Sequence, residues 1–439
     1  MNRIDMKNEV CALIDKAAPE IERLATSVRD APELGYKETK TAATIAAFFR
    51  QIGIEPEEGL ALTGVRARLD GQKNGPTIAI MAELDAVTCP DAPGADPETG
   101  AAHTCGHFLQ LAMLAAAAQA LKNVWEKANL AGNVVFFAVP AEEYVEIEYR
   151  NRLREEGKLH FLGGKQELIY RNEFAGIDMA MMAHSRGATP GPVLQLGESS
   201  NGFIGKLVRY TGRAAHAAAS PDEGINALNA AMLGLMGVHA LRETFRDDQN
   251  IRVHPIITKG GDLVNVVPAD VRLETYVRGK TMNAIIETGG KIDHAFAAGG
   301  HAIGAKTTIQ TIPGYLPITS PKAFNDLFAE NALFAHPGLE VLAGSHFTAS
   351  TDAGDLSHLM PVTHPFMGGV NGNLHGAEFN VEDFSLAVLT PAKAMALSVL
   401  DLLWNGAEKA HAILDDFKPL LTREQYIDLL DKLANTVEY

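Results

Sequence analysis

The sequence is poor in cysteine and in positive charge, and each shortage excludes a class of protein. Three cysteines among 439 residues are too few and too scattered for a disulfide framework, which favours a reducing compartment; they are Cys11, Cys89 and Cys105. The 38 Lys and Arg residues against 54 Asp and Glu give a formal net charge of −16. We therefore expect neither a nucleic-acid partner nor an anionic membrane partner, because both require a basic surface.

Long apolar runs are also missing. No stretch approaches 18 consecutive apolar residues, and the Ala-rich segment 109–121 is too short to cross a bilayer. The N-terminal stretch 1–19 is amphipathic and lacks the basic flank and unbroken apolar run of a secretory signal. We expect a cytoplasmic protein. Its 46% apolar and 21% charged residues are typical of a globular chain, and its length predicts two domains.

The first part of the chain predicts an α/β domain. Helical periodicity predicts helices over 5–29, 39–52 and 108–126, and short apolar runs typical of buried strands lie at 77–82, 133–140 and 177–183. Each run is followed at once by polar side chains, namely Glu83 and Asp85, then Glu142 and Glu143, then His184. Open α/β sheets carry their chemistry at the carboxyl ends of strands, so we expect these side chains to converge.

Two further segments break this α/β pattern. Residues 199–313 follow the order strand, helix, strand, strand, helix, strand, which is that of ferredoxin-like domains. We predict that this segment is a small α+β domain inserted into a catalytic α/β domain formed by 1–198 and 314–439. The charged stretch 144–172 predicts an exposed insertion or lid beside the site.

The segment His103–His107 supplies a thiol and imidazoles within five residues, and other potential ligands follow strands or lie in turns. The full set is Cys105, His107, Glu143, His184 and His375. One thiolate, three imidazoles and one carboxylate suit one or two transition ions such as Zn²⁺ or Mn²⁺ better than Ca²⁺ or Mg²⁺. Taken singly, each histidine is more often structural, a free cysteine is more often a small buried hydrophobe, and an acidic pair is more often solvated.

Two carboxylates beside this set have predicted roles of their own. If Glu142 does not bind the ion, it could act as a general base on a water molecule whose pKa the ion has lowered. Asp85 could orient a metal-binding imidazole, although a turn or a helix N-cap is the alternative.

Six short motifs, in this order, resemble those of the aminoacylase/carboxypeptidase metallopeptidase family, peptidase family M20. They are Met81–Ala86, His103–His107, Pro140–Glu143, Gly212–Ala217, Asn265–Ala269 and Asn373–His375. The resemblance is strongest to the amidohydrolase branch, which includes indole-acetyl-amino-acid hydrolases and p-aminobenzoyl-glutamate hydrolase. It implies an α/β metallopeptidase-like domain with an inserted ferredoxin-like dimerisation domain, hence a homodimer or higher homo-oligomer.

The resemblance also implies roles for single residues. The metal ligands would be Cys105, His107, Glu143, His184 and His375, with Glu142 as general base. His216 and Asn265 would contact the substrate or polarise the scissile group. Independently of the resemblance, we expect a substrate carboxylate for an amide and for an aryl amine alike, and the candidates to pair with it are Arg209, Arg213 and Arg278, although each is more often a surface charge.

Two departures from the family pattern lie beside the expected metal. Phe108 stands where the family has Asp or Asn, and Tyr144 begins a charged segment where the branch has a Gly-rich run. Aromatic side chains there would suit a flat substrate, so one alternative to an amidohydrolase is an aryl-amine aminohydrolase of the 5-nitroanthranilate type. A second alternative is a non-catalytic ligand-binding member of the same fold.

Overall fold

The computed structural model describes residues 2–344 and 346–439, and within them the chain forms two compact units. The first unit runs to Ser199 and also includes Thr319–His346 and Asp355–Leu420. The second comprises Ser200–Ile318, Phe347–Gly354 and Leu421–Tyr439.

The described residues form helices and strands throughout. The α-helices are α1 (Arg3–Arg29), α2 (Thr39–Gln51), α3 (His107–Ala128), α4 (Ile147–Glu155), α5 (Gly164–Tyr170), α6 (Ala227–Leu241), α7 (Met282–Ile303), α8 (Lys322–Ala335), α9 (Ala353–Ser357), α10 (Thr390–Leu403), α11 (Glu408–Asp416) and α12 (Arg423–Leu433). The strands are β1 (Glu57–Leu60), β2 (Gly64–Leu69), β3 (Lys73–Glu83), β4 (Val87–Thr88), β5 (Ala101–Ala102), β6 (Ala131–Val139), β7 (Met179–Met181), β8 (His184–Ser185), β9 (Val193–Gln195), β10 (Ser199–Ser200), β11 (Gly202–Thr211), β12 (Arg252–Val253), β13 (Ile256–Lys259), β14 (Asp270–Gly279), β15 (Lys306–Pro313), β16 (Glu340–Leu342), β17 (His346–Phe347), β18 (Val362–Thr363), β19 (Phe366–Met367), β20 (Val370–Asn371), β21 (Asn380–Val381) and β22 (Asn435–Glu438).

The first unit is built on a six-stranded sheet in the order β1-β2-β6-β3-β7-β18. Strand β3 runs parallel to β6 on one side and to β7 on the other, and β7 is parallel to β18. Its central strands are apolar on both faces, as buried parallel strands are. The predicted α/β class is confirmed.

Apolar helices cover this sheet. The Ala-rich helix α3 is almost entirely buried and packs against α1, α10 and β3. The segment Ser385–Gly406, which contains α10, is long and apolar enough to cross a membrane, but its most apolar window is wholly buried inside the protein. Burial on every side is what a core helix of a globular domain requires.

The second unit is an antiparallel sheet in the order β12-β14-β11-β15-β22, with β13 also paired to β14. Helices α6 and α7 pack on it around a core that includes Phe296 and Tyr210. The strands and helices follow the predicted order except that two short strands, β12 and β13, take the place of the single strand expected before β14. The unit differs from the predicted boundaries in that Phe347–Gly354 and Leu421–Tyr439 also belong to it, the latter because β22 pairs with β15. All four residues of β22 are exposed, and only one of them, Val437, is apolar. The strand therefore lacks the alternating apolar pattern by which a strand is predicted.

The prediction of an exposed lid at 144–172 is wrong for much of that segment. Residues 161–169 are all buried, and Arg150 and Lys165 are among the largest fully buried side chains. Charged residues are rarely buried unless they are paired, so this segment must find its partners inside the first unit.

Candidate metal centre

The carboxyl ends of three neighbouring strands place the predicted polar residues at one edge of the sheet. Glu83, the last residue of β3, is in register with Val139, the last residue of β6. Asp85 and the Glu142–Glu143 pair therefore leave the sheet side by side. Strand β7 lies on the other side of β3, and the chain reaches His184 three residues after β7 ends.

Cys105 lies between two of the histidines. Its Sγ is 3.4 Å from Nε2 of His184 and 3.3 Å from Nε2 of His375. Gly106 follows with φ of +91°, and a Cβ at this position would lie 2.9 Å from Oγ of Ser185. Only glycine therefore fits between Cys105 and His107 without a shift of the chain.

The Nδ1 atoms of two histidines are engaged by oxygens, which leaves their Nε2 atoms for another partner. Nδ1 of His107 lies 2.8 Å from the carbonyl oxygen of Asp85, and Nδ1 of His184 lies 2.8 Å from that of Ser185. An oxygen that accepts the Nδ1 proton fixes the tautomer whose Nε2 lone pair can bind a cation. Nε2 of His107 is buried and lies 3.1 Å from Oε2 of Glu83.

Asp85 connects the two sides of this cluster. Its Oδ1 is 3.2 Å from Nδ1 of His107, while Oδ2 accepts the backbone N–H of Glu143 at 2.9 Å. The residue is fully buried. This is the position from which a carboxylate orients a metal-binding imidazole.

The turn that carries Glu142 and Glu143 is held from three directions. Ala141 has φ of +52°, a left-handed conformation that is costly for a residue with a side chain. Its N–H donates to Oε1 of the buried Glu38 at 2.8 Å, and its carbonyl accepts from the N–H of Gly164 at 3.1 Å. Arg150 donates to the carbonyl oxygens of Ala141 and Glu143. These contacts offset the strain and fix the direction of both carboxylates.

Charge balance in the cluster favours an ionised Glu143. Burial would raise the pKa of its carboxyl, but the hydrogen bond and charge of His375 and the charge of His107 lower that pKa to about 2. Oε1 of Glu143 lies 3.0 Å from Nε2 of His375. Burial also lowers the pKa of His184, and the charge of His107 lowers it further, so His184 stays neutral as a metal ligand must.

The donor set fits a divalent transition ion. The ligand atoms of Cys105, His107 and His184 lie within 4.8 Å of one another, and so do those of Cys105, Glu143 and His375. The two groups share the sulfur of Cys105. A thiolate and imidazoles suit a divalent transition ion better than Ca²⁺ or Mg²⁺, so the side chains present here can hold such an ion.

A family model for peptidase family M20/M25/M40 matches residues 79–401, which is most of the chain. The chain belongs to this family. It is therefore a metal-binding hydrolase that acts on carbon–nitrogen bonds, and the resemblance drawn from its motifs is confirmed.

Members of the family align over nearly the whole length. The Xaa-Arg dipeptidase of Mus musculus is 28% identical, over 96% of this chain and 94% of that protein. The N-acetylcysteine deacetylase of Bacillus subtilis is 25% identical, over 85% and 94%. Among solved structures, the YXEP protein of Bacillus subtilis, a dinuclear metal-binding peptidase of the M20 family, superposes with a TM-score of 0.66. It is 20% identical and covers 89% of this chain and 99% of its own.

The two aromatic departures from the family pattern lie in packed surroundings. Phe108 is 4% exposed, belongs to the main core, and has its ring 5.8 Å from that of His103. The ring of Tyr144 lies 5.9 Å from the guanidinium carbon of Arg150. Neither side chain is more than 7% exposed. Both side chains pack against neighbours, and Phe108 also lines a cavity beside His103, so their predicted contact with substrate stays a prediction.

The predicted substrate residues His216 and Asn265 are adjacent within the second unit. The carbonyl of Asn265 accepts the N–H of Ala217 at 3.0 Å, and His216 pairs with Val266. Nδ1 of His216 accepts the N–H groups of Ala218 and Ala219, which leaves a proton on Nε2 of the neutral ring. Both residues are exposed.

The arginines predicted to bind a carboxylate already have partners in that unit. Nε of Arg209 lies 2.7 Å from Oδ1 of Asp270. Arg278 donates to Oγ of Ser350 at 2.9 Å and lies over the rings of Phe203 and Tyr276.

Sequence reasoning missed four charged residues that surround the cluster. They are Glu38, Glu83, Arg150 and Lys165, all buried. Glu83 was noted only as a polar residue after a strand. Residues 32–35, which precede Glu38, do not indicate that the Glu38 carboxylate contacts the turn at Ala141.

Proposed function

We propose that this chain cleaves the C–N bond of a small carboxylate-bearing substrate of the N-acyl or aminobenzoyl amino acid type. The observation that carries the proposal is the acidic pair. Glu143 contacts His375, while the carboxylate of Glu142 lies beside it within 4.8 Å of a ligand atom of His107. A carboxylate adjacent to a ligating one is where a general base is needed.

In this proposal Cys105, His107, Glu143, His184 and His375 hold one or two Mn²⁺ or Zn²⁺ ions. When bound, such an ion lowers the pKa of a water molecule and polarises the scissile group. Burial of Cys105, His107, Glu143 and His184 strengthens these electrostatic effects, because the local dielectric constant is lower than that of water.

Glu142 would transfer the proton. It takes a proton from the attacking water, whose oxygen forms a bond to the electrophilic carbon. The bond from that carbon to nitrogen breaks, and Glu142 returns the proton to the departing amine. The products are a carboxylic acid and an amine, so no further reactant is required.

The activities named for two relatives support an amide as the substrate. A dipeptide and an N-acetyl amino acid both have an amide nitrogen on a carbon that bears a carboxylate. The aryl-amine alternative drew on Phe108 and Tyr144, which pack against His103 and Arg150. We therefore favour an amide substrate and include aryl amines among the compounds to be tested.

We further propose a homodimer or higher homo-oligomer formed through the second unit. Exposed apolar side chains of that unit support this, and they include Met232, Met236, Ile256, Leu263 and Val264. The cytoplasmic location and the substrate contacts of His216 and Asn265 stay predictions from the sequence.

A hydrolysis screen on Mn²⁺-loaded and Zn²⁺-loaded protein tests the proposal. Release of amine is followed with N-acyl amino acids, aminobenzoyl-glutamate and Xaa-Arg dipeptides, and release of ammonia with nitro-substituted anthranilates. We expect turnover in at least one amide panel and none without metal. Ammonia release from an anthranilate alone would favour the aryl-amine reaction. Metal binding without turnover in any panel would favour the non-catalytic alternative.

A further inference from the structure

Glu83 lies against the metal side of His107 and was assigned no role from the sequence. Its carboxylate is 1% exposed, and Oε2 is 3.1 Å from Nε2 of His107. Oε2 also accepts a hydrogen bond from Nε2 of Gln110 at 2.9 Å. Glu83 is therefore held in contact with the ring nitrogen that is available to a metal ion.

The separation of these two atoms suits ligands of one ion. Because Nδ1 of His107 is engaged by Asp85, the neutral ring presents a lone pair at Nε2. A lone pair on Nε2 and a carboxylate oxygen 3.1 Å apart repel each other unless a cation, either a proton on Nε2 or a metal ion in its place, lies against both. Ligands about 2.0–2.2 Å from a shared transition ion are roughly 3.0–3.5 Å apart.

Glu83 also forms a third potential ligand group. The ligand atoms of Glu83, His107 and Glu142 lie within 4.8 Å of one another, and His107 also belongs to the group with Cys105 and His184. The carboxylate is thus on the side of the centre served by His107.

Lys165 forms an ion pair with the other oxygen of the Glu83 carboxylate. Its ammonium, fully buried, lies 2.7 Å from Oε1 of Glu83. Lys165 comes from the buried part of the charged segment 144–172, and Glu83 is the partner that the burial of this ammonium requires. With Oε1 engaged by Lys165, Glu83 has Oε2 to offer to an ion.

We propose that Glu83 is an additional ligand of the ion held by His107, and that Lys165 fixes the carboxylate in this position. The inference rests on the metal centre of the proposed function. It adds a ligand that binds through one oxygen only, since the second oxygen is held by the ammonium.

The test compares Mn²⁺ affinity, by chelator competition, in the wild type and in the double variant Glu83→Gln with Lys165→Met. Removing both charges avoids an unpaired buried ion. We expect affinity to fall at least about tenfold, as loss of even a supporting residue does. The matched control is Glu167→Gln with Arg171→Met, a pair on the same segment with N–O separation 2.6 Å, which should leave affinity unchanged.

A spectroscopic measurement separates a ligand from a structural residue. Glu83→Asp keeps the charge opposite Lys165 but shortens the side chain by one methylene, so it should fold even if the double variant does not. In Co²⁺-loaded protein we expect the visible d–d bands of Glu83→Asp to change, while the sulfur charge-transfer band of Cys105 remains. Unchanged d–d bands together with wild-type affinity would overturn the inference. If the wild type bound no transition ion, the proposed function would fall as well, whereas wild-type turnover with an unaltered Glu83→Asp spectrum would overturn this inference alone.

Discussion

Asp85 holds His107 through two atoms. Its backbone carbonyl oxygen lies 2.8 Å from Nδ1 and its Oδ1 lies 3.2 Å from the same nitrogen, while Oδ2 accepts the N–H of Glu143. One buried residue therefore sets both the tautomer of the His107 imidazole, through its carbonyl and carboxylate oxygens, and the position of Glu143, through its carboxylate.

Asp85→Ala should weaken metal binding without unfolding the protein. The His107 ring loses one of two restraints and the Glu143 N–H loses its acceptor, so we expect Mn²⁺ affinity to fall by about 10–100-fold. Chelator competition measures this directly. The exposed Asp91→Ala is the control, and equal affinities in the two variants would contradict the role given to Asp85.

Arg150→Met should destabilise the protein and reduce turnover together. The guanidinium is 1% exposed and donates to the carbonyls of Ala141, Glu143 and Leu162, at 3.0 Å in the last case. Leaving buried carbonyls without donors should cost about 2–4 kcal/mol of unfolding free energy. Urea denaturation measures the loss, and Arg152→Met on the exposed side of α4 serves as the control. A variant as stable as this control would show that the turn does not depend on Arg150.

Glu38→Gln should change how stability depends on pH. Burial and then the charge of Asp85 raise the pKa of Glu38 to about 7, whereas hydrogen bonds from Thr63 and Ala141 oppose this rise. A raised folded-state pKa contributes stability that is complete below pH ~4.5 and is lost as the pH passes through ~7. The amide cannot ionise and keeps an oxygen for the N–H of Ala141.

We therefore expect the unfolding free energy of Glu38→Gln, relative to that of the wild type, to rise between pH 5 and pH 8 by up to about 3 kcal/mol. Urea unfolding of both metal-free proteins at each pH gives the difference between their unfolding free energies. The contributions of the other titrating groups are the same in both proteins and cancel in this difference. The exposed Glu55→Gln should show no such gain. An identical difference at the two pH values would mean that Glu38 does not titrate in this range.

Met236→Glu should shift the oligomer towards the monomer if the second unit forms the interface. Met236 is 65% exposed on α6, and a charge in an apolar contact is costly to bury. Light scattering after size-exclusion chromatography measures the mass, with Lys280→Glu as a control on the same unit. An unchanged oligomer would place the interface elsewhere.

The convergence of the proposed metal ligands could be predicted because it follows from sheet topology. Three apolar runs, each followed by polar residues, become parallel neighbours whose carboxyl ends coincide, and this brings Asp85, Glu143 and His184 together. The motifs added His375, whose position in a turn far along the chain no periodicity reveals. The family followed from the motifs and not from any single residue.

The charged support of the site could not be predicted. Lys165 and Arg150 belong to a charged stretch, and charge indicates exposure unless a partner is known. Their partners at Glu83 and Glu143 are fixed only by the fold. The substrate contact predicted for Phe108 stays a prediction, because its side chain belongs to the core and also lines a cavity beside His103.

Glu142→Gln is the most direct test of the proposed mechanism. The amide keeps the size of the side chain but cannot accept the proton from water, so turnover of the best amide substrate should fall by about 10²–10⁴-fold. Metal content should stay at the wild-type value, and the exposed Glu148→Gln should retain full activity. Turnover in Glu142→Gln equal to that of the wild type, at equal metal content, would contradict the account.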